Sequence, residues 1–428
     1  NRTGLSIADP AGGGVKVVVV ARAVAPLHGV GGLERSVHDL VRHLAAKDVD
    51  VTLITPPAGH MRAQAHDPFA SRHITLRAVP YRTFPGANRR GTTILDRSTA
   101  YPVFGWRAGR HARALAHDGG ADIVHGFGAS VLGYALARRR ERAPLVFNPQ
   151  GLEEFGATSA RQAWGKRAGY WPLRRAVRAC SRAADAIIAT DAALAPAVKV
   201  HLRPRADQVR VIPNGIDLVE VGGLAGPADG KLLRDRHGLG AGETVLLSAG
   251  RIEHNKGLDV LAEALARLDQ PGGPLARHGW RWVIAGAGPF KRDLERLVDE
   301  RGLTSHVLFA GRIDDAELHG WYEAASIFVH PTRYEGSSLV TLEAMAHRRA
   351  IVATRAGGLP DKVRPGENGW LVEPDNAAAL ADALGDALSD PLRLLPMGAR
   401  SRQIVEAEFS WSVLVERYLA LYDELLRR

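Results

Sequence analysis

The stretch Phe328 to Pro374, FVHPTRYEGSSLVTLEAMAHRRAIVATRAGGLPDKVRPGENGWLVEP, sets Glu335 and Glu343 eight positions apart around the expected start of a helix, with small residues between them. Just upstream, Ser326 to Pro331 (SIFVHP) is an apolar run long enough for a buried parallel strand. Gly336, Ser337 and Ser338 read as a turn whose serines can cap a helix beginning near Leu339. Such a turn leaves backbone N–H groups exposed, those of Ser338 and Leu339 among them. With the positive end of the helix dipole they make a site for a phosphate. The flanking carboxylates can accept hydrogen bonds from sugar hydroxyls. The ligand that fits is a diphosphate with a sugar at each end.

Outward from that stretch, short β-branched runs alternate with helical patterns, the mark of a parallel sheet wrapped by helices. Expected strands in the first half are Val15 to Val20, Val49 to Thr55, Ile74 to Val79, Asp122 to Phe127, Leu145 to Pro149, Ala186 to Thr190 and Val209 to Ile212. The second half repeats the scheme at Val245 to Ala249, Trp282 to Gly286, Val307 to Ala310, Ile327 to Pro331 and Ile351 to Thr354. A chain of 428 residues is too long for one ordinary core, since cores rarely grow past roughly 250 to 300 residues. Two doubly wound α/β domains are therefore expected: residues 15–213 after a flexible leader of residues 1–14, and residues 214–410. Asn214-Gly215 suits a turn and Gly222 to Gly230 (GGLAGPADG) reads as loop, which puts the crossover near 213–230.

Several further segments complete a known pattern. PLHGVGGLERSVHDLVRHLAAKDVDVTLIT (Pro26 to Thr55), IPNGID (Ile212 to Asp217), GRIEHNKG (Gly250 to Gly257), VLFAGRI (Val307 to Ile313), AGGLPDKV (Ala356 to Val363) and NGWLVEP (Asn368 to Pro374) follow one another in order. Taken with the Glu335 and Glu343 signature, nearly the whole chain resembles the family-4 retaining glycosyltransferases of the GT-B fold. The resemblance implies two Rossmann-like domains facing across a cleft, the first taking the acceptor and the second the nucleotide-sugar. It also implies a final helix, Trp411 to Leu426, packed back on the N-terminal domain. Two departures stand out. Ser337 occupies a place where an aromatic or larger residue is common, and Arg348 and Ala350 fall where Gly and Pro usually end the signature helix. Arg348 is ill suited to a left-handed cap, so that helix is expected to end differently.

The resemblance assigns roles position by position. Transfer builds negative charge on the β-phosphate of the leaving nucleoside diphosphate, and preorganised cations can stabilise it. Arg251 and Lys256 follow the strand Val245 to Ala249, at the carboxyl end of a parallel sheet where α/β folds place ligands. They match the family's pair that grips the diphosphate. Glu335 is the expected partner of donor-sugar hydroxyls and Glu343 of ribose hydroxyls. Gly250, Gly286, Gly336, Ser337, Ser338 and Leu339 complete the donor site, and the base is expected along Gly311, Arg312 and Ile313. Gly31 and Gly32, opening the first helix, permit close backbone approach to donor or acceptor. His125, at a strand end, stands where the family commonly has a histidine near the reacting sugar. Gln150, Glu153 and Glu154 are the acceptor-contact candidates. No metal-binding Asp-x-Asp is placed for the diphosphate, so neither metal nor cofactor is expected.

Charge is distributed unevenly. Residues 1–213 carry 31 Lys and Arg against 15 Asp and Glu, a net +16, whereas residues 214–428 carry 25 against 31, a net −6. The densest basic segments are Arg138 to Arg140 with Arg142, and Arg161 to Arg182, where Trp164, Tyr170, Trp171 and Leu173 interleave with cations. They read either as a solvated surface or as a face for an anionic membrane or lipid-linked acceptor. Nucleic acid is not expected, because no recognised nucleic-acid motif accompanies the charge. One cysteine, Cys180, excludes an internal disulfide, and no apolar run reaches the roughly 20 residues of a membrane span. A cytoplasmic protein, peripheral on the inner membrane face if the basic surface engages lipid, is the expectation. A GT-B sugar phosphorylase or nucleotide-sugar epimerase and a non-catalytic nucleotide-sugar binder remain as alternatives. A nicotinamide dehydrogenase does not, because Gly29, Gly31 and Gly32 lack the required glycine spacing.

Overall fold

The computed structural model describes residues 14–29, 31–58, 69–82, 93–137, 143–156, 169–205, 207–240, 242–276 and 279–428. Thirteen strands among them form two wholly parallel sheets. The first contains β1 (Lys16–Val20), β2 (Asp50–Thr55), β3 (Ile74–Ala78), β4 (Ile123–Phe127), β5 (Leu145–Asn148), β6 (Ala186–Ala189) and β7 (Val209–Val211), in the order β3-β2-β1-β4-β5-β6-β7. The second contains β8 (Thr244–Ala249), β9 (Trp280–Ala285), β10 (Val307–Gly311), β11 (Ile327–His330), β12 (Ala350–Thr354) and β13 (Gly369–Val372), in the order β10-β9-β8-β11-β12-β13. The chain divides into two compact units, residues 214–413 forming one and residues 1–213 with 414–428 the other.

Central strands are apolar without alternation because helices cover both faces of a parallel sheet. Val17 to Val20 are all fully buried, with β1 pairing β2 through Val17 and Val51 and β4 through Val19 and His125. In each sheet the order reverses beside the first strand, between β1 and β4 and between β8 and β11. The crevice at the carboxyl ends there is where doubly wound folds hold ligands.

Two local expectations need correction. Gly222 to Gly230 is largely helical rather than loop, in the helices Leu218–Leu224 and Pro227–Arg236. The Asp217 side chain accepts from the Val219 and Glu220 N–H groups, and Asp229 accepts from Gly226 N–H at 2.8 Å while Pro227 opens the second helix. Capping thus outweighs the glycines. The signature helix, Leu339–Ala346, does end through a left-handed residue: Arg348 has φ 56°. Its N–H donates to Met345 O and that of Arg349 to Ala344 O, the paired bonds of a Schellman ending. Arg349 anchors this end by donating to the His347 and Ala325 carbonyls, both at 2.6 Å. Strand β13 is one that the sequence reading passed over. Apart from Gly14, the expected leader lies outside the described residues, as do Arg138 to Arg140, Arg142 and residues 157–168.

Candidate functional site

Four loops meet at the carboxyl edge of β10, β9, β8 and β11, and they carry the donor-side candidates. Gly250 and Arg251 follow β8, Gly286 follows β9, Arg312 and Ile313 follow β10, and Glu335 to Leu339 join β11 to the signature helix. The loops pack backbone on backbone. A Cβ on Gly286 would lie 1.8 Å from Gly250 O, so only glycine lets these two loops approach. A pocket opens here, lined by Gly250, Arg251, Lys256, Leu258, Val329 and His330.

Lys256 and Glu335, 79 positions apart, join directly: Lys256 Nζ donates to Glu335 Oε2 at 2.5 Å. His330 Nε2 donates to the same oxygen at 2.8 Å. Burial alone would raise the Glu335 carboxyl, but the His330 hydrogen bond and the Lys256 ammonium outweigh it and hold its pKa down to about 2. Burial pushes His330 below its ordinary value, against the pull of Glu335. The carboxylate is therefore ionised and oriented, and Lys256 is held at the mouth of the pocket. Arg251 is the more solvated of the two cations, its side chain 75% exposed and paired with Glu253 at 2.7 Å.

Arg333 fixes the register between these loops. Its guanidinium forks onto Asp259 at 2.8 and 2.7 Å, and its N–H donates to Asn255 O at 2.8 Å. This bidentate pair ties the Lys256 loop to the Glu335 loop. Ser338 caps the signature helix, its Oγ accepting from Thr341 N–H. The first N–H groups of that helix, at Leu339 and Val340, precede any intrahelical partner. Glu343 is 5% exposed and accepts at Oε2 from the Tyr322 hydroxyl at 2.9 Å. Tyr322 in turn stacks on His347, whose Nδ1 donates to Glu323 at 2.6 Å. The sequence reading did not single out His330, Tyr322, Arg333 or Asp259. His330 and Arg333 lie inside the decisive stretch, while Tyr322 and Asp259 reach it only through tertiary packing.

The other candidates belong to the first unit. Gly31 is the N-cap of the helix Gly32–Ala45, with extended backbone (φ −71°, ψ 166°) and no side-chain cap, and the Glu34 carboxylate lies so close that a Cβ on Gly31 would fall 2.5 Å from its Oε2. Gln150 and Leu152 both take left-handed backbone, φ 63° and 53°, and Gln150 N–H donates to Asn148 Oδ1 at 3.0 Å. Two such residues in one turn store strain of the kind found at binding loops. Glu153 begins a short 3-10 turn, and Glu154 O accepts from Arg174 Nε at 2.5 Å. His125 requires correction. It lies in the middle of β4 rather than at its end and is 0% exposed. Its Nδ1 bonds the Tyr422 hydroxyl at 2.8 Å and its ring stacks on Phe127. The imidazole is part of the core of this unit and has no face toward solvent.

The aromatic and basic segment is also partly absorbed by packing. In the helix Trp171–Ala183, Leu173, Ala176, Val177 and Cys180 face inward, and Tyr170 is buried as well. Trp171 is 58% exposed, with Arg175 over its ring, and Arg178 and Arg182 follow on the outer side. Among the described residues no helix is long and apolar enough to cross a membrane, and no group of three or more His, Cys, Asp or Glu is arranged to hold a metal ion.

Known proteins agree with this architecture. The family model described as Glycosyl transferases group 1 matches residues 243–390, and that described as Glycosyltransferase Family 4 matches residues 30–220. D-inositol 3-phosphate glycosyltransferase 1 of Catenulispora acidiphila is 32% identical over 321 residues, 73% of this chain and 74% of that protein. Among solved structures, sucrose-phosphate synthase from Thermosynechococcus elongatus superposes with TM-score 0.72 and 25% identity, covering 96% of this chain and 99% of that one. Anabaena HepE in complex with UDP shares the fold at TM-score 0.69 and 19% identity, covering 96% and 100%. With the ordered motifs, two parallel sheets and loops converging at a switch point already in view, the chain belongs to glycosyltransferase family 4, of the GT-B fold, and is a glycosyltransferase.

Proposed function

We propose that the protein transfers a sugar from a nucleotide-sugar donor to a hydroxyl of a sugar-containing or lipid-linked acceptor, with retention of anomeric configuration and without a metal ion. The observation that carries this reading is the Lys256–Glu335 pair beside the start of the signature helix. An ammonium that lines the pocket, the ionised carboxylate paired with it and the helix N-terminus that follows that carboxylate match a diphosphate followed by a polyhydroxylated sugar. Arg251 reaches from the same loop to the developing phosphate charge, the task a metal would otherwise perform. Glu343, steadied by Tyr322, takes the ribose hydroxyls, and the backbone of Gly311 to Ile313 takes the base. The leaving phosphate itself accepts the acceptor proton in a front-face reaction, which asks for no nucleophile from the enzyme. The HepE neighbour is named in complex with UDP, which supports a nucleotide-sugar donor.

On the acceptor side the proposal is the strained turn Gln150 to Glu154 and the backbone of Gly31 and Gly32. The net +16 of residues 1–213 favours an acceptor that carries negative charge, and the Catenulispora relative is named for inositol 3-phosphate, an anionic polyol. The test is a transfer assay over a panel of UDP-, GDP- and ADP-sugars with inositol phosphates and lipid-linked sugars as acceptors, run with and without EDTA. Product with the donor's anomeric configuration and a rate unchanged by EDTA is expected. A rate abolished by EDTA and restored by magnesium or manganese overturns the metal-free part, and an inverted product overturns retention.

A further inference from the structure

One buried charge of the second unit is left unused by the assignments above. Lys362 is 0% exposed, among the largest side chains wholly enclosed in the fold. Removing an ammonium from water is costly, and a methionine of similar length would fill the same space without that cost. Its position gives the charge a use. The turn Ala356 to Leu359 lies directly behind the turn that opens the signature helix: Gly358 N–H donates to Gly336 O at 3.3 Å, and a Cβ on Gly357 would fall 1.7 Å from Glu335 O. From beneath, Lys362 Nζ donates to Ser337 Oγ at 3.4 Å and to Gly358 O at 3.3 Å, and the same ammonium lies over the Phe409 ring, 5.6 Å from its centroid. The Lys362 charge is also felt at His330, the partner of Glu335.

We propose that Lys362 is a positioning residue for the diphosphate, acting through Ser337. Because Ser337 Oγ accepts from Nζ, its own proton is turned away from the ammonium and is available to an oxygen of the terminal phosphate. The buried charge behind the turn adds to Lys256 and Arg251 in front of it, and its effect grows as the phosphate gains charge on leaving. This inference rests on the donor-site reading above.

The experiment measures binding of UDP, GDP and ADP, and of the matching monophosphates, to the full chain by calorimetry, together with its melting temperature. Variants are Lys362→Met, Ser337→Ala, Ser337→Thr and the Lys362→Met/Ser337→Ala double. Expected is a diphosphate affinity about tenfold weaker in Lys362→Met and in Ser337→Ala, rescue in Ser337→Thr, and a double variant no weaker than the worse single. Monophosphate affinity is expected to stay within about twofold of wild type, with Lys362→Met melting no lower than wild type. Unchanged diphosphate affinity in Lys362→Met, or an equal loss for mono- and diphosphates with a lowered melting temperature, overturns the inference and leaves the donor reading standing. Should Lys362→Met fail to fold, Ser337→Ala decides alone, and wild-type affinity there overturns the inference. A wild-type chain that binds none of the three diphosphates overturns both the inference and the reading beneath it.

Discussion

Lys256 and Arg251 sit on one loop, yet their surroundings predict different consequences of removal. Arg251→Ala should lower kcat/KM about a hundredfold, the loss of one preorganised contact worth roughly 3 kcal/mol, with the melting temperature unchanged, because its side chain is mostly in water. Lys256→Ala should lower kcat/KM comparably and also destabilise the fold, because it strips a partner from the mostly buried Glu335. Thermal melts and steady-state kinetics of the two variants check this; identical melts would remove the distinction. Glu335 titrates in the folded chain near 2, below the ordinary value of 4.5, so its contribution is present above about 4.5 and lost as pH falls toward 2. His125 gives a separate acid sensitivity. Burial pushes its imidazole from 6.5 down to about 3, so between those values the unfolded chain binds a proton that the folded chain does not. Stability should therefore fall by about 1.4 kcal/mol per pH unit below 6.5 from this residue alone. Urea midpoints of wild type and His125→Gln across pH 6.5 to 4.5 test it, and equal slopes would refute it. At this scale the sequence exposed the identity of the charged groups. It did not expose which were buried: His125 lies inside β4 and Lys362 beneath a turn because of what packs over them.

Among the elements, the signature helix is the one whose ending departs from the sequence reading. Arg348 takes the left-handed position although that conformation costs a side-chain-bearing residue about 1 to 2 kcal/mol. Arg348→Gly should stabilise the chain by about 0.5 to 1 kcal/mol once the extra freedom of unfolded glycine is subtracted, read as a higher urea midpoint. A lower midpoint would mean that the arginine side chain compensates locally. The helix Trp171–Ala183 has spent its apolar face on the core, which leaves Trp171, Arg175, Arg178 and Arg182 as one outward stripe. If this stripe meets anionic lipid, each arginine contributes about 1 kcal/mol near the surface. Co-sedimentation should then recover the protein on anionic but not neutral vesicles at low salt, fading as salt rises. Equal recovery on both would assign the arginines to an ordinary solvated face. The legible elements were those with an uninterrupted apolar run, such as Val17 to Val20. β13 was passed over because Gly369 to Val372 is four residues set between Asn-Gly and Glu-Pro turn signals, and only pairing with β12 makes it a strand.

For the whole molecule, the chain's return to its first unit carries a definite consequence. Residues 414–428 count with residues 1–213, and Leu414, Val415, Tyr418, Leu419, Leu421, Tyr422 and Leu425 are all buried. At roughly 1.5 to 3 kcal/mol for each buried side chain, the segment contributes about 10 to 20 kcal/mol, as large as the 5 to 15 kcal/mol of net stability usual for a domain. Truncation after Val413 should therefore leave residues 1–213 unable to fold, seen as loss of soluble protein or of its unfolding transition; a normally folded truncation would refute this. Sequence alone determined the α/β class, the repetition of strand and helix in both halves, and the loops that carry Gly250, Arg251, Lys256 and the Glu335 to Glu343 signature. It could do so because strand runs, turn residues and caps act over a few neighbours, and parallel topology delivers every such loop to the carboxyl edge. Only the tertiary structure decided that Lys256 meets Glu335 across 79 positions, that Tyr422 covers His125 across 297, and that Lys362 underlies Ser337. Those pairings depend on which side chains end up enclosed together, and burial is a property of the assembled core rather than of any local run of residues.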